Sequence, residues 1–222
     1  MIRLFHRPDC PFCWKVRIAL YELDIPFEEI TITLGEKNPD VMALNPNGSV
    51  PVMVTEDGPV LWESAAMMEY LEDEYGREKQ GGSLLPEEAS DRAVIRQIHI
   101  FSDNQVGKAV FPLVRERRSH PGRDVPADLL HKSQKDWQSC LTVLQDGLGD
   151  REFFGGDLFS IADCALIPRF TLAEVYGLAV PEEFAAVGDW YRRVSGRPSV
   201  AKARPDHFPG VNDFVKSAGL AS

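Results

Sequence analysis

Two cysteines near the amino terminus, Cys10 and Cys13, are separated only by Pro11 and Phe12 and follow a short apolar run. At the start of a helix this spacing places both thiols on one face, close enough to form a disulfide. The first thiol lies at the helix N-terminus, where unpaired N–H groups and the helix dipole favour a thiolate. Pro11 fits the first helical turn, because its missing N–H would have no partner there in any case. The pair therefore predicts redox or thiol chemistry.

Half of a zinc site and a chance spacing are the two other interpretations of this pair. A zinc site needs two further ligands, and the sequence has neither a second C-x-x-C pair nor metal-ligand spacing among its 5 histidines. The position of the pair inside a strand–helix–strand pattern favours thiol chemistry without a metal. Cys140 and Cys164 lie in apolar helical patterns and are expected to be small buried hydrophobes.

Pro51 is the second feature with chemical consequences, since it stands inside the apolar run 50–54. A proline removes an N–H from the strand ladder, so it is tolerated where the chain turns tightly into a strand, often in the cis form. Such a turn leaves the backbone groups of the preceding Val50 unpaired and able to bind an extended, peptide-like ligand. The alternative is an ordinary proline in an edge strand.

Glu63 and Ser64 form the third feature. We expect Ser64 to cap a helix whose free N–H groups bind an anion, while the Glu63 carboxylate accepts hydrogen bonds from an ammonium group. Together they suit the zwitterionic head of an amino acid. The alternative is a routine N-cap beside a solvated glutamate.

Alternating strand and helix signals in the first 76 residues must position these groups. Val16, Ala19, Leu20 and Leu23 have helical spacing, and the order of elements is βαβ followed by ββα. The predicted strands are 2–6, 27–34, 50–55 and 60–62, and the predicted helices are 11–23 and 64–76. Residues 35–48 are a stretch rich in glycine, asparagine and proline.

No convincing strand pattern follows residue 87. A polar segment at 77–86 with paired glycines predicts an interdomain linker, and Ser160 with Asp163 predicts a capped helix start. The sequence therefore predicts an α/β domain at 1–76 and an all-helical domain at 87–222. The other predicted helical segments are 88–118, 127–147, 182–195 and 198–204, and the basic run at 115–118 is expected to be a solvated face.

Composition and charge restrict the classes of function. The chain has 222 residues, 44% hydrophobic and 26% charged, with a formal net charge of −10, which is typical of a folded globular protein and unfavourable for binding nucleic acid. The sequence contains no apolar run of about 18 residues, so no membrane span is expected. The amino terminus lacks the pattern of a signal peptide, which predicts a cytoplasmic location.

The combination of motifs resembles two related groups of proteins. Cys-Pro-Phe-Cys at 10–13 is similar to the glutaredoxin active site. Ser-Val-Pro-Val at 49–52 followed by Glu63 and Ser64 resembles the glutathione-binding half of the cytosolic glutathione transferase superfamily. The helical half, with Ser-Ile-Ala-Asp at 160–163 and Gly-Arg-Pro-Ser-Val at 196–200, resembles the same superfamily. The resemblance implies a thioredoxin-like domain followed by an all-α domain, usually in a homodimer.

The resemblance also implies roles for particular residues. Cys10 would be the catalytic thiol, assisted by Cys13. Val50, beside Pro51, would bind the cysteinyl backbone of glutathione, and Glu63 with Ser64 its γ-glutamyl end. A cysteine in the catalytic position is similar to the omega-like and dehydroascorbate-reductase-like branches, although many of those relatives lack the second cysteine. Some relatives hold the glycine carboxylate with a basic residue just before the pair at 45–46, whereas here the nearest is Lys37.

These observations lead to one main functional hypothesis and two alternatives. The main hypothesis is a glutathione-dependent thiol transferase in which Cys10 forms a mixed disulfide with glutathione, the co-substrate. One alternative is a transferase that conjugates glutathione to electrophiles. The other is a non-catalytic interaction protein, similar to the stringent-starvation protein that associates with RNA polymerase. No local motif specifies the small oxidised or electrophilic second substrate.

Overall fold

The computed structural model describes residues 1–33, 37–76 and 82–211. The end of the predicted second strand at 34, the first part of the predicted linker at 77–81 and the carboxyl-terminal segment 212–222 lie outside the described residues. The described chain forms a four-stranded α/β unit followed by a helical unit. This confirms the predicted fold class, a thioredoxin-like domain followed by an all-helical domain.

The sheet has the strand order β2-β1-β3-β4. Strand β1 pairs in parallel with β2 through the crossover helix α1, and β3 pairs antiparallel with both β1 and β4. Strand β1 has the predicted bounds, whereas β2, β3 and β4 are shorter than predicted; in β3, Pro51 precedes the first ladder residue. Their bounds are β1 (Ile2–His6), β2 (Phe27–Thr31), β3 (Val52–Val54) and β4 (Val60–Leu61).

Three helices belong to the α/β unit. They are α1 (Pro11–Glu22), α2 (Pro39–Leu44) and α3 (Ser64–Leu71), the last continued by a π-helical turn at Glu72–Gly76. The sequence analysis missed α2, which lies in the segment interpreted as irregular. Its signal was present: the Asn38 side chain accepts hydrogen bonds from the Asp40 and Val41 N–H groups at 3.0 and 3.1 Å, and a proline occupies the first turn.

The helical unit begins with a long helical run, α4 (Ala89–Phe101) and α5 (Gly107–Ser119), joined by a π-helical turn at Ser102–Val106. It continues with α6 (Ala127–Leu148), α7 (Ile161–Tyr176), α8 (Ala185–Ser195) and α9 (Pro198–Ala203). A 3₁₀ turn at Glu182–Phe184 precedes α8. Helix α7 is buried along almost its whole length, so it is the centre of this unit.

The start of α7 is held by one buried carboxylate. Asp163 is fully buried and accepts hydrogen bonds from Ser160 N–H and Oγ–H at 2.9 and 2.7 Å. It also accepts from Phe154 N–H at 3.1 Å and from Trp190 Nε1–H at 2.8 Å. The predicted capped start at Ser160 is confirmed, and the same carboxylate also ties the preceding loop and α8 to α7.

The described part of the predicted linker, residues 82–86, packs against both units. Leu84 is buried, and its N–H donates to the Glu72 carboxylate at 2.8 Å while its carbonyl accepts from Ile161 N–H at 3.1 Å. These bonds connect the end of the α/β unit to the start of α7. The domain boundaries at 76 and 87 stay a prediction. Within the described residues, no helix is long and apolar enough to cross a membrane.

We predict that Asp163→Ala lowers the free energy of unfolding by about 3 kcal/mol or more, because several buried donors lose their acceptor and each unpaired donor costs about 1–3 kcal/mol. Urea unfolding followed by circular dichroism measures the change. The matched control is Asp157→Ala, an exposed aspartate six residues earlier, for which we expect a change within about 0.5 kcal/mol. Equal effects of the two substitutions would contradict the role assigned to Asp163.

Candidate functional site

One end of the sheet brings together all of the chain segments that the sequence analysis selected. The register pairs Phe5 near the end of β1 with Val52 at the start of β3, and Met53 with Leu61 at the end of β4. The loop after β1, the turn before β3 and the segment after β4 therefore leave the sheet at the same end. These three segments contain the cysteine pair, the Val50–Pro51 turn and the Glu63–Ser64 pair.

Cys10 is the N-cap residue of α1. Its backbone is extended (φ −82°, ψ 118°), its N–H donates to the Arg7 carbonyl at 3.2 Å and its carbonyl accepts from Trp14 N–H at 2.9 Å. Pro11 begins the helix, as the sequence predicts. The Cys10 thiol is half-buried, whereas Cys13, one turn further along, is fully buried. Cys10 is therefore the thiol that a ligand reaches first.

The two thiols have opposite electrostatic environments. A hydrogen bond from the Cys13 thiol is the main cause that lowers the pKa of Cys10 to about 6; the N–H groups of Cys13 and Phe12 and the charge of Arg7 act in the same direction, against burial. Burial is the main cause that raises the pKa of Cys13 well above its usual value, followed by its hydrogen bond to Cys10. The pair therefore holds one thiolate, at Cys10, and one protonated thiol that donates to it.

A chain of charges connects the loop before Cys10 to the helical unit. The Asp9 carboxylate binds Arg7 Nε at 3.1 Å and Arg118 Nη1 at 2.9 Å. The expectation that residues 115–118 form a solvated face is wrong for its last two residues. Arg117 Nε donates to the Tyr176 carbonyl at 3.0 Å and Arg118 Nε to the Tyr176 hydroxyl at 3.0 Å, so both are half-buried.

The Val50–Pro51 peptide bond is cis, the form expected for a proline at this turn. The buried Asn45 side chain organises the loop that leads to it: its amide donates to the Ser49 carbonyl at 2.7 Å and accepts from Asn47 N–H at 2.9 Å. The sequence analysis did not assign this role to Asn45. An asparagine before a Pro-Asn-Gly run is a signal for such a turn. Lys37 is exposed.

Ser64 is not the cap of α3, which corrects the expectation from the sequence. Glu63 occupies the N-cap position with an extended backbone (φ −133°, ψ 120°) and makes no side-chain cap bond, and Ser64 is the first helical residue. The Ser64 side chain is buried and the Glu63 side chain is exposed. The backbone turns into the helix one residue earlier than expected, so the Ser64 N–H belongs to the free first-turn donors.

A group of three charged side chains and one histidine beneath the cysteine pair had no signal in the sequence. Lys15 of α1 contacts residues of the helical unit that lie more than 80 positions away along the chain. No local pattern could indicate these partners, because only the packing of α1 on the helical unit brings them together. The group consists of Lys15, His99, Asp103 and Arg169.

The remaining candidates from the sequence are structural. Cys140 and Cys164 are buried in the core, as expected; Trp14 is buried there as well, and Trp62 is exposed. Among the described residues, no group of three or more histidine, cysteine, aspartate or glutamate side chains is arranged to hold a metal ion.

Comparisons with known proteins agree with this architecture. A model described as "Glutathione S-transferase, N-terminal domain" matches residues 4–79, and one described as "Glutathione S-transferase, C-terminal domain" matches residues 101–198. Probable glutathione S-transferase parC of Nicotiana tabacum is 33% identical over 92% of this chain and 89% of the relative. The chain therefore belongs to the glutathione S-transferase family, and its fold is the glutathione transferase fold.

Two further relatives inform the functional question. A glutathione transferase family member from Pseudomonas fluorescens, solved with two glutathione molecules bound, is 26% identical with a TM-score of 0.76, over 91% of each chain. FtsZ-localized protein A of Caulobacter vibrioides is 26% identical over 94% of this chain and 92% of the relative. A protein named as a glutathione transferase and a protein named for its location with FtsZ are therefore both similar to this chain over most of its length.

We predict that the alkylation rate of Cys10 by iodoacetamide rises through a midpoint near pH 6, since the thiolate is the reactive form. In Cys13→Ala the midpoint should move upward, because the main hydrogen bond to the thiolate is lost. Peptide mapping by mass spectrometry identifies the alkylated residue. Cys140→Ala is the matched control and should leave the midpoint unchanged, while a wild-type midpoint above about pH 8 would contradict the prediction.

Proposed function

We propose that this protein is a glutathione-dependent thiol transferase in which Cys10 is the nucleophile. The observation that carries the proposal is the arrangement of the cysteine pair: a half-buried thiol at the start of α1, with a pKa lowered to about 6 mainly by the hydrogen bond from Cys13. At neutral pH such a thiol is a thiolate, which is the form that attacks a disulfide.

The reaction proceeds by two thiol–disulfide exchanges. The Cys10 thiolate attacks the glutathione sulfur of a mixed disulfide, forms a bond to that sulfur, and releases the acceptor as a thiolate that takes a proton from water. A second glutathione thiolate then attacks the same glutathione sulfur, forms oxidised glutathione and restores the Cys10 thiolate. The low pKa of Cys10 makes it a good leaving group in this second step. In the alternative second step, Cys13 loses its proton to water and attacks the Cys10 sulfur, which forms the Cys10–Cys13 disulfide and releases glutathione as a thiolate. Two further glutathione molecules then reduce that disulfide by successive exchanges and leave as oxidised glutathione.

The segments around Cys10 supply the groups that a peptide with a free α-amino acid end requires. We propose that the backbone of Val50, presented by the turn at Pro51, binds the cysteinyl unit of glutathione. Ser64 and the free N–H groups at the start of α3 bind the α-carboxylate of the γ-glutamyl unit, and the exposed Glu63 accepts from its ammonium group. The glutathione-bound relative from Pseudomonas fluorescens supports glutathione as the substrate.

Conjugation to electrophiles is less compatible with this site. A conjugating enzyme keeps the glutathione sulfur as a free thiolate, and it does so with a group that donates a hydrogen bond to that sulfur. A Cys10 thiolate has no proton to donate, and its charge disfavours a second thiolate nearby. Instead, it attacks a disulfide that already contains glutathione, forms the mixed disulfide with glutathione and releases the other thiolate. A homodimer, a cytoplasmic location and a small oxidised second substrate stay predictions.

We predict that the wild type reduces a small glutathione mixed disulfide faster than it conjugates glutathione to an aryl halide. Cys10→Ser should abolish the reduction, because a serine hydroxyl does not attack sulfur, and it should raise conjugation. Cys13→Ser should keep a measurable part of the reduction, since a second glutathione completes the cycle. Coupled assays with glutathione reductase measure the reduction, and absorbance of the conjugate measures the other reaction. Faster conjugation than reduction by the wild type would show that the proposed reaction type is wrong.

We predict that Ser64→Ala weakens glutathione binding about 10- to 100-fold with little effect on stability. A hydrogen bond to a charged group contributes about 1.5–3 kcal/mol, whereas Ser64 forms no cap whose loss would destabilise α3. Titration calorimetry measures the affinity and a urea melt the stability. Ser139→Ala, on the exposed face of α6, is the matched control. Unchanged affinity in Ser64→Ala would remove Ser64 from the site.

A non-catalytic binding protein is the second candidate function. The observation in its favour is the similarity to FtsZ-localized protein A, whose name records a location with FtsZ and no reaction. Retention on immobilised glutathione together with turnover of a mixed disulfide supports the enzyme. Failure of both, with the folded state intact, supports the binding protein.

A further inference from the structure

Three buried polar side chains and one half-buried carboxylate form a cluster under the cysteine pair, where α1 packs on the helical unit. Each comes from a different part of the chain, and three of the four are almost inaccessible to solvent, with side-chain exposures of 1%, 3% and 4%. The charge-cluster residues are Lys15 of α1, His99 of α4, Asp103 of the π-helical turn and Arg169 of α7.

The Asp103 carboxylate is the centre of this charge cluster. Its Oδ2 accepts from Lys15 Nζ at 2.5 Å, and its Oδ1 from Arg169 Nη2 at 3.4 Å. Lys15 Nζ also lies 2.7 Å from His99 Nε2. Since an ammonium group only donates, Nε2 is the unprotonated nitrogen of a neutral imidazole.

The cluster carries a net charge of +1. Burial and the nearby Lys15 charge lower the pKa of His99 to about 4, so this side chain is neutral when Cys10 titrates. Although burial opposes its ionisation, Lys15 and the other neighbouring positive groups lower the pKa of Asp103, which is therefore a carboxylate. Burial lowers the pKa of Lys15, and the charge and hydrogen bond of Asp103 oppose this. Lys15 is counted as a cation because its Nζ lies 2.5 Å from the Asp103 carboxylate, and Arg169 because a guanidinium group stays charged at physiological pH. Two cations thus face one anion.

Phe12 connects the cluster to the thiols. It is the residue between Pro11 and Cys13, and its ring centroid lies 4.6 Å from Arg169 Cζ and 5.6 Å from Lys15 Nζ. Arg169 Nε has no hydrogen-bond partner among the described residues, so the ring face is a principal neighbour of this guanidinium group. Gly107 allows the close approach of α5, because a Cβ there would lie 3.3 Å from Arg169 Cζ.

The loop before α1 adds no excess negative charge around the thiol. On that loop, the Asp9 carboxylate is paired with both Arg7 and Arg118, which again leaves one positive charge in excess. Cys13 is protonated. Helix α3 and its N-cap contribute two carboxylates on this side of the molecule: Glu63, which is exposed, and Glu69, which is half-buried and whose charge also acts on His99.

We propose that Lys15 and Arg169 are positioning residues for Cys10: their uncompensated charge stabilises its thiolate, and they hold the Phe12 ring that sets the position of the cysteine pair. Neither touches the substrate, so both act through Cys10. Burial lowers the pKa of both Lys15 and Arg169, and attraction to Asp103 and, more weakly, to Cys10 opposes that lowering; the contribution of Cys10 is the reciprocal of the proposed attraction. This inference rests on the proposed function only in that Cys10 is its reactive thiol.

The consequence is that the helical unit controls the reactivity of a thiol in the α/β unit. A buried charge interacts with a thiolate through a medium of low polarity, where screening by salt is weak. The interaction therefore persists at high ionic strength, unlike attraction from a surface lysine.

The test measures the pKa of Cys10 in Arg169→Gln and in Arg169→Lys, from the pH dependence of iodoacetamide alkylation mapped to Cys10 by mass spectrometry. We expect Arg169→Gln to raise the midpoint by about half a unit to one unit, which corresponds to about three- to tenfold slower alkylation at pH 5. Arg169→Lys keeps the charge and should restore most of the wild-type midpoint. Lys15→Gln should shift the midpoint in the same direction as Arg169→Gln.

His99→Gln is the matched control, since it alters the same cluster and replaces a neutral acceptor by another. We expect its alkylation midpoint to lie within about 0.2 pH unit of the wild-type midpoint, which is small beside the shift of about half a unit to one unit expected for Arg169→Gln. Circular dichroism confirms that each variant is folded. Lys15→Gln and Arg169→Gln each leave Asp103 one cationic partner, so either variant alone tests the charge effect if the other does not fold.

Three outcomes would overturn the inference: an unchanged midpoint in folded Arg169→Gln, an equal shift in Arg169→Lys, or an equal shift in His99→Gln. The last two would show that packing, not charge, is responsible. The alkylation assay needs no turnover, so it is independent of the thiol-transfer assay. If the midpoints shift as expected but thiol transfer is absent, the proposed function alone is contradicted. If thiol transfer occurs but the midpoints do not shift, this inference alone is contradicted.

Discussion

The packing of α1 between the sheet and α7 is the constraint on which the rest of the structure depends. The same helix that presents the Cys10 thiol at its first turn buries most of its remaining length, including the cationic Lys15 and Arg17. Arg17 Nη1 donates to the Ala203 carbonyl of α9 at 2.9 Å. A helix held on both sides does not shift along its axis, so the thiol at its end has a defined position relative to the Val50 turn and the start of α3.

Electrostatics divides the two cysteines into different chemical species. Burial alone raises the pKa of any thiol, and Cys13, fully buried, follows this rule. Cys10 departs from it because donors converge on its sulfur from the Cys13 side chain and from the first turn of α1. The arrangement gives one thiolate and one thiol that donates a hydrogen bond to it, and we propose that the charge cluster beneath adds to the stabilisation of that thiolate.

Three buried or half-buried carboxylates fix the packing of the helical unit. Glu72, at the start of the π-helical turn after α3, accepts from Leu84 N–H, and Asp103 binds cations of α1 and α7, so these two carboxylates link the units. Asp163 holds the start of α7 within the helical unit. Each carboxylate forms hydrogen bonds or ion pairs with donors in more than one segment. An alternative packing would leave those donors unpaired, which would cost free energy. The orientation of the helical unit relative to the thiol is specified in this way.

Local patterns in the sequence were sufficient for the fold class, the order of the strands, the capped start of α7 and the position of Cys10 at a helix N-terminus, because each of these depends on neighbours within a few residues. They were insufficient where contacts are remote or where a boundary moves by one residue. Ser64 proved to be a first helical residue and not a cap, and helix α2 was missed although Asn38 caps it. Lys15, Asp103 and Arg169 meet only after the two units pack together. Lys15 lies more than 80 residues before His99 and Asp103 in the chain. No local sequence pattern specifies a contact between residues so far apart, so only the tertiary structure determines it.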